Sequence, residues 1–219
     1  DKSFVRMVLA KLYLNAEVYV GKAMWNECAA LAEQIMNDHP LHTTAVNADN
    51  TPYQELFMAD NHQFFGGELI FVVPQEAIKL NSYGATNYLI RAAIGGDMDP
   101  AALGVGGGWG GLSITANFSD KFDLELDNRA IFYTKYGKNI DDMYSFDSTD
   151  VAKKQTGYKS MKYTNMLSDG TKGNESDSGS VDVTVPKYVI MNMVSIALGT
   201  CRGILHTKTE NTEYNKYVI

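Results

Sequence analysis

Two amphipathic segments separated by a glycine open the chain, and they limit its fold more than any other feature. Ser3 is a residue type that caps helices. From there to about Val20 the apolar residues Val5, Val8, Leu9, Leu12, Ala16 and Tyr19 recur at three- and four-residue steps, the spacing of one helix face. Gly21 interrupts the pattern, and a second helix is predicted from about Met24 to Asn37. Trp25, Cys28, Ala29, Ala32, Ile35 and Met36 share its apolar face. So short a connection makes the two helices antiparallel. The chain is therefore expected to be mainly α, starting as a helical hairpin with small residues at the crossing.

A hairpin of about 34 residues with a glycine near its turn resembles one tetratricopeptide unit, and roughly three stacked units are needed for stability. No second copy occurs in the 219 residues, so further helices are expected ahead of Asp1. Beyond the hairpin, residues 38–67 read as loop with a helical turn at 52–58, and 69–73, closed by Pro74, as a buried strand. Residues 75–118 are rich in aromatics and glycine and show no sustained period. An ordered loop of that length is a functional or covering element. A helical turn is predicted over 119–126, strands over 129–133 and 158–164, a polar turn region with the reversal Asp169-Gly170 over 168–180, and a buried helix over 187–198. The domain reading is one incomplete domain over 1–219: hairpin 1–37, irregular ligand-binding region 38–186, and an atypical C-terminal segment 187–219.

Charge narrows the function. With 26 acidic against 19 basic residues the net charge is −7, which repels phosphate backbones, so no nucleic-acid partner is expected. Lys153 and Lys154 are the only adjacent bases. Thirteen tyrosines and 19 glycines beside 5 prolines suggest aromatic rings displayed on irregular backbone. Gly106, Gly108 and Gly111 formally spell a dinucleotide-binding fingerprint, but no strand precedes it and Trp109 sits inside the turn. What the segment provides is an indole on open backbone, either anchoring the loop by burial or displayed as a stacking platform. Tyr83, Asn87, Tyr88 and Arg91 lie in the same stretch. Aromatic faces pack against the C–H face of a pyranose, while amide and guanidinium groups satisfy its hydroxyls. Trp109, Tyr83, Tyr88, Asn87 and Arg91 are therefore the candidate ligand-binding residues.

Catalytic, metal and cofactor sites are not expected. Asp120, Asp123, Glu125 and Asp127 crowd one segment among lysine and arginine, the pattern of a solvated acidic face rather than a pair of carboxyls facing across a cleft. Asp97 and Asp99 read as turn formers or weak calcium ligands, without the spacing of a calcium loop. His39 and His42 have H-x-x-H spacing but no partner ligand nearby in the sequence. Cys28 is expected to be a buried free thiol, Cys201 carries no pattern, and nucleophile motifs are missing. A glycoside hydrolase is thereby disfavoured, and a tetratricopeptide-like scaffold for a protein partner is the main alternative to glycan binding.

A family resemblance rests on longer stretches. Leu12-Tyr13-Leu14-Asn15-Ala16-Glu17-Val18-Tyr19 followed by Trp25-Asn26-Glu27-Cys28 resembles the central helical hairpin of the SusD/RagB proteins. The similarity continues through Tyr53, Leu56-Phe57, Asp60-Asn61, Glu68-Leu69-Ile70-Phe71, Tyr83-Gly84, Trp109-Gly110-Gly111, Phe118, Phe122, Asp127-Asn128-Arg129 and Lys162-Tyr163-Thr164-Asn165. The resemblance implies a SusD-like, mainly α fold with tetratricopeptide-like hairpins and long irregular insertions. It implies a non-catalytic, surface-exposed outer-membrane lipoprotein of polysaccharide utilisation and nutrient uptake. Such a protein captures oligosaccharide and passes it to a TonB-dependent, SusC-like transporter, and its lipid anchor here would lie outside this chain. By position it carries over Tyr83 and Trp109, with Tyr88, Asn87 and Arg91 beside them. It fades near Pro186, which implies a truncation or frame change there and no family function for 187–219.

Overall fold

The computed structural model describes residues 2–79, 82–140 and 156–189. They are mainly helical with a few short strands, and they divide into two compact units. Of these described residues the first unit holds 2–42, 64–72 and 186–189, and the second holds 43–63 and those between 73 and 185. Most of the helix expected over 187–198 lies outside the described residues, as do Lys153, Lys154 and Cys201.

In the first unit α1 (Lys2–Leu14) packs on α3 (Trp25–Asp38), with the short α2 (Ala16–Val20) between them. Met7, Ala10, Cys28, Ile35 and Ile70 form its core, flanked by Tyr13, Leu14, Ala29 and Leu31. Cys28 is a buried free thiol. The face expected of α3 is the buried one, at Cys28, Ala32 and Ile35. The face expected of α1 is not. Val5, Val8, Leu12 and Tyr19 are exposed, and Ser3, Met7 and Ala10 are buried instead. Both sides of this helix are apolar, so periodicity cannot say which one meets α3. Packing decides it: Met7 and Ala10 join Cys28, Ile35 and Ile70 in one buried cluster.

Ser3 lies inside α1 and is no cap, because the helix already includes Lys2. The predicted continuous helix to Val20 also breaks, at Asn15. Its side-chain amide donates to the Lys11 carbonyl at 2.9 Å, competing with the backbone for the helix's own acceptor. Gly21 then ends α2 in the left-handed region, its N–H on the Glu17 carbonyl at 3.1 Å. Phe71 on β1 (Leu69–Val73) stacks on Phe4 with centroids 4.2 Å apart, and β1 pairs with β4 (Val185–Val189). The start of the helix predicted at 187 is thus a strand, opened by the β-branched Val185.

The H-x-x-H pair also belongs to this unit. His39 Nδ1 lies 2.9 Å from the Gly67 carbonyl, and the His42 ring packs on Phe64 with centroids 4.3 Å apart. The His42 amide donates to Glu68 Oε2 at 2.8 Å. Burial pushes the Glu68 carboxyl up, against the pull of that amide and of the His42 charge. Among the described residues no cluster of three metal-ligating side chains forms.

The second unit is built around Ala59, Ile90, Ile94, Met98, Leu103, Val105, Val181 and Val183. Its first helix, α4 (Pro52–Glu55), carries a reciprocal capping box between Thr51 and Gln54, shorter than the predicted 52–58. The stretch 75–118 is not structureless: α5 (Ala85–Ala93) runs through it, and a 3-10 turn, Pro100–Leu103, follows. Periodicity hid α5 because its buried side mixes Ile90 and Ala93 with Thr86, Asn87 and Arg91. The turn predicted over 119–126 begins earlier, as α6 (Ala116–Ser119). The strands predicted over 129–133 and 158–164 shrink to β2 (Phe132–Tyr133) and β3 (Lys159–Ser160), paired antiparallel with Phe132 opposite Ser160. Asp169-Gly170 does reverse the chain, with Leu167 N–H donating to the Thr171 carbonyl at 2.7 Å.

The inverted face of α1 gives a paired test. Met7→Ala should destabilise by about 2–5 kcal/mol, the usual cost of emptying a packed core site. Val5→Ala should stay within about 0.5 kcal/mol. Urea unfolding of both variants measures the difference, and equal costs would restore the face read from periodicity.

Candidate ligand-binding site

The candidate residues all fall in the second unit, on two segments that the backbone brings together. The first is α5. Chain direction changes at its start, where Gly84 precedes Ala85, a non-glycine residue held in the left-handed region at φ 54°. Helix geometry then turns Asn87 and Arg91 inward, both essentially buried, and Tyr88 outward.

The second segment, 104–112, runs back along the end of α5 and satisfies carbonyls the helix leaves open. Trp109 N–H donates to the Arg91 carbonyl at 2.8 Å, Gly110 to Ile94 at 2.8 Å and Leu112 to Ala92 at 3.0 Å. Glycine at 108 is a requirement of this approach: a Cβ there would lie 2.4 Å from Ile94 Cγ2 and 2.6 Å from its carbonyl oxygen. The glycine run is therefore a docked strap whose hydrogen bonds fix the position of one indole.

Three rings meet as a result. Tyr83 and Tyr88 each lie with ring centroids 6.3 Å from Trp109, at interplanar angles of 51° and 47°. Their exposures are 69 % for Tyr83, 49 % for Tyr88 and 40 % for Trp109. Those values mean partial burial, by which each ring is oriented, with an open face left to solvent. Beneath them the Arg91 guanidinium carbon sits 6.0 Å from the indole centroid.

Asn87 and Arg91 do not join the rings at the surface, contrary to the expectation that they would hydrogen-bond a ligand. Arg91 Nε donates to Asn87 Oδ1 at 3.1 Å and to the Gly179 carbonyl at 3.0 Å, and Nη1 to the Gly107 carbonyl at 2.8 Å. Nη2 bonds Glu175 Oε1. Asn87 Nδ2 donates to the Ser82 carbonyl at 2.8 Å. These groups hold the rings from below.

Glu175 is the residue that sequence reasoning missed. It accepts from the Gly106 amide at 2.9 and 3.0 Å and from Lys172 Nζ at 2.7 Å, besides Arg91. It starts a small antiparallel turn that pairs Glu175 with Val181. Burial alone would raise its pKa, but the Gly106 amide, Lys172 and Arg91 together hold it down to about 2. The one available signal was that a buried arginine requires an acid, and 84 residues of separation left no spacing to reveal which.

Other polar clusters are self-contained. Asp120, Asp123 and Glu125 are exposed, Asp120 facing Lys138, while half-buried Asp127 chelates Arg129 Nε at 2.9 Å. Asp99 caps the 3-10 turn through Ala101 N–H at 2.9 Å. Asp97 accepts from Lys135 and from the Tyr136 hydroxyl, whose pKa burial and that carboxylate push up to about 12. None of these presents two carboxyls across a cleft.

Because folding lowers the Glu175 pKa from an ordinary 4.5 to about 2, the ion pair contributes fully above about pH 4.5. Its contribution drains away as pH falls through about 2. Glu175→Gln should cost about 3 kcal/mol at neutral pH by leaving Arg91 uncompensated, and the loss of stability with acid should be shallower in the variant. Unfolding free energies measured from pH 7 to pH 2 test this; parallel curves would remove Glu175 from that role.

Comparison with known proteins gives a consistent placement. No family model matches the chain. Over 130 residues, 58 % of its length, it is 28 % identical to the starch-binding protein SusD of Bacteroides thetaiotaomicron, of which it covers 22 %. A crystal structure of a SusD superfamily protein from Parabacteroides distasonis superposes on the whole chain with a TM-score of 0.60 at 15 % identity. The chain covers 47 % of that protein, and so spans less than half the length of either relative. In sequence over the shared region, and in fold throughout, the chain is SusD-like.

Proposed function

We propose that this chain is part of a non-catalytic glycan receptor that holds oligosaccharide or polysaccharide on the Tyr83, Tyr88 and Trp109 rings. The observation that carries this reading is the ring cluster itself, partly exposed and fixed from beneath by a buried polar lattice. Rings splayed at 51° and 47° to the indole describe a curved surface, which suits consecutive sugar rings of a chain better than a flat aromatic ligand. Each stacked pyranose removes apolar area from water at about 25 cal/mol per Å², so roughly 80 Å² contributes about 2 kcal/mol. Placement of the polar groups below the rings leaves hydroxyl recognition to residues around the cluster, with Asn87 and Arg91 as its supports.

Similarity to a starch-binding protein supports α-glucan as the first ligand class to test. It also supports the wider SusD/RagB setting, with tetratricopeptide-like hairpins, an outer-membrane location at the cell surface through a lipid anchor elsewhere in the protein, and delivery to a TonB-dependent, SusC-like transporter. Among the described residues no helix is long and apolar enough to cross a membrane.

Affinity electrophoresis in gels containing amylopectin or other polysaccharides tests the reading. Retardation without release of reducing sugar is the expected result. Trp109→Ala should weaken it about thirtyfold, the equivalent of roughly 2 kcal/mol, with unfolding little changed. Unaltered retardation of that variant would take Trp109 out of the site, and release of reducing sugar would make the protein an enzyme.

A further inference from the structure

Several segments of the second unit meet where the β2–β3 ladder runs out. Beyond the paired strands a further bond forms, Met161 N–H to the Ile131 carbonyl at 2.9 Å. In that register Lys162 falls opposite Ala130, next in the chain to Arg129. The Thr164 amide donates to the Phe57 carbonyl at 3.2 Å, which brings Phe57 alongside. Lys162 Nζ consequently lies 4.1 Å from the Phe57 centroid and 5.2 Å from that of Tyr53. Ring faces are electron-rich and favour a charged group above them. The ammonium is therefore held in one place, and held as a cation.

What it lacks is an acceptor. Among the described residues no carboxylate, hydroxyl or carbonyl bonds Nζ, and the atom is not sealed from water. Arg129 is only partly satisfied. Asp127 accepts from its Nε at 2.9 Å and from its Nη2 at 2.7 Å, while Nη1 has no acceptor among the described residues. Burial, and then the Arg129 charge, brings the Lys162 pKa down to about 8. At neutral pH the cluster thus holds two neighbouring cations against a single carboxylate, Asp127. Other cations of this unit are matched: Lys135, Lys138 and Lys172 face Asp97, Asp120 and Glu175, and buried Lys159 bonds the Ser113 hydroxyl.

We propose that Lys162 and Arg129 form a binding site for a single carboxylate group, such as that of a sugar acid or another small monoanion. Nζ supplies charge-assisted donors from a fixed position, and Arg129 Nη1 supplies another from the adjoining strand end. Two cations against one carboxylate leave one positive charge, which a monoanion neutralises and a dianion overshoots. The Phe57 and Tyr53 rings keep water from one side of the ammonium, and an ion pair formed there is stronger than one in open solvent. The site shares no residue with the Tyr83, Tyr88 and Trp109 cluster and does not depend on it.

Amide NMR of the isotope-labelled chain tests this, with sodium glucuronate, sodium acetate and glucose added at neutral pH and constant ionic strength. Glucuronate should shift the amides of 129–131 and 161–163 saturably, with a roughly millimolar Kd, and glucose should not. A matching response to acetate assigns the site to carboxylates at large; a response to glucuronate alone assigns it to sugar acids. Lys162→Gln should weaken binding about tenfold, the loss of one charged hydrogen bond. Lys162→Arg, which keeps the charge and the donors, should bind within about threefold of the native chain. An unshifted native chain, shifts that only track added salt, or native affinity in Lys162→Gln overturns the proposal. Tighter binding of inorganic sulfate than of glucuronate overturns it as well.

Discussion

The second unit depends on one shielded ion pair. Arg91 and Glu175 are 84 positions apart, with side chains 7 % and 16 % exposed. Two such charges are costly to desolvate unless each is saturated by further hydrogen bonds. Here saturation is what builds the site. Arg91 uses backbone carbonyls at 107 and 179 and the Asn87 amide, and Glu175 uses the Gly106 amide and Lys172. Apart from Asn87, which is on α5 itself, those partners lie on segments that must be brought to α5, so meeting the electrostatic requirement folds the strap and the 175–181 turn into place. The strap carries Trp109 to Tyr88 on α5 and to Tyr83 just before it.

In the proposed glycan site this arrangement separates support from recognition. A surface ring contributes to binding only if its orientation is set before the ligand arrives, because ordering it afterwards costs entropy. Trp109 is ordered by its own backbone N–H on the Arg91 carbonyl and by the guanidinium beneath its ring. Its outer face remains free for contact. The polar residues that sequence proximity placed beside the rings, Asn87 and Arg91, serve that support.

The first unit follows a simpler rule, the packing of one helix face on another. Met7 and Ala10 of α1 meet Cys28 and Ile35 of α3 in its core, and large apolar side chains such as Val5, Val8 and Leu12 remain on the other side. The same rule explains the error in reading α1. Hydrophobicity marks two faces of the helix, and packing against α3 decides which one is buried.

The residue pattern alone determined the hairpin, the strand at 69–73, the reversal at Asp169-Gly170 and the grouping of Tyr83, Tyr88 and Trp109 in one stretch, because each is encoded by near neighbours. Helix period, turn chemistry and aromatic composition act over a few residues and leave a local trace. Tertiary structure decided which face of α1 is buried, that a helix runs through 85–93, and that Asn87 and Arg91 turn inward. It also chose Glu175 from among 26 acids as the arginine's partner. Those outcomes depend on desolvation and on contacts between distant segments, where the energy of a side chain is fixed by what surrounds it rather than by its place in the chain.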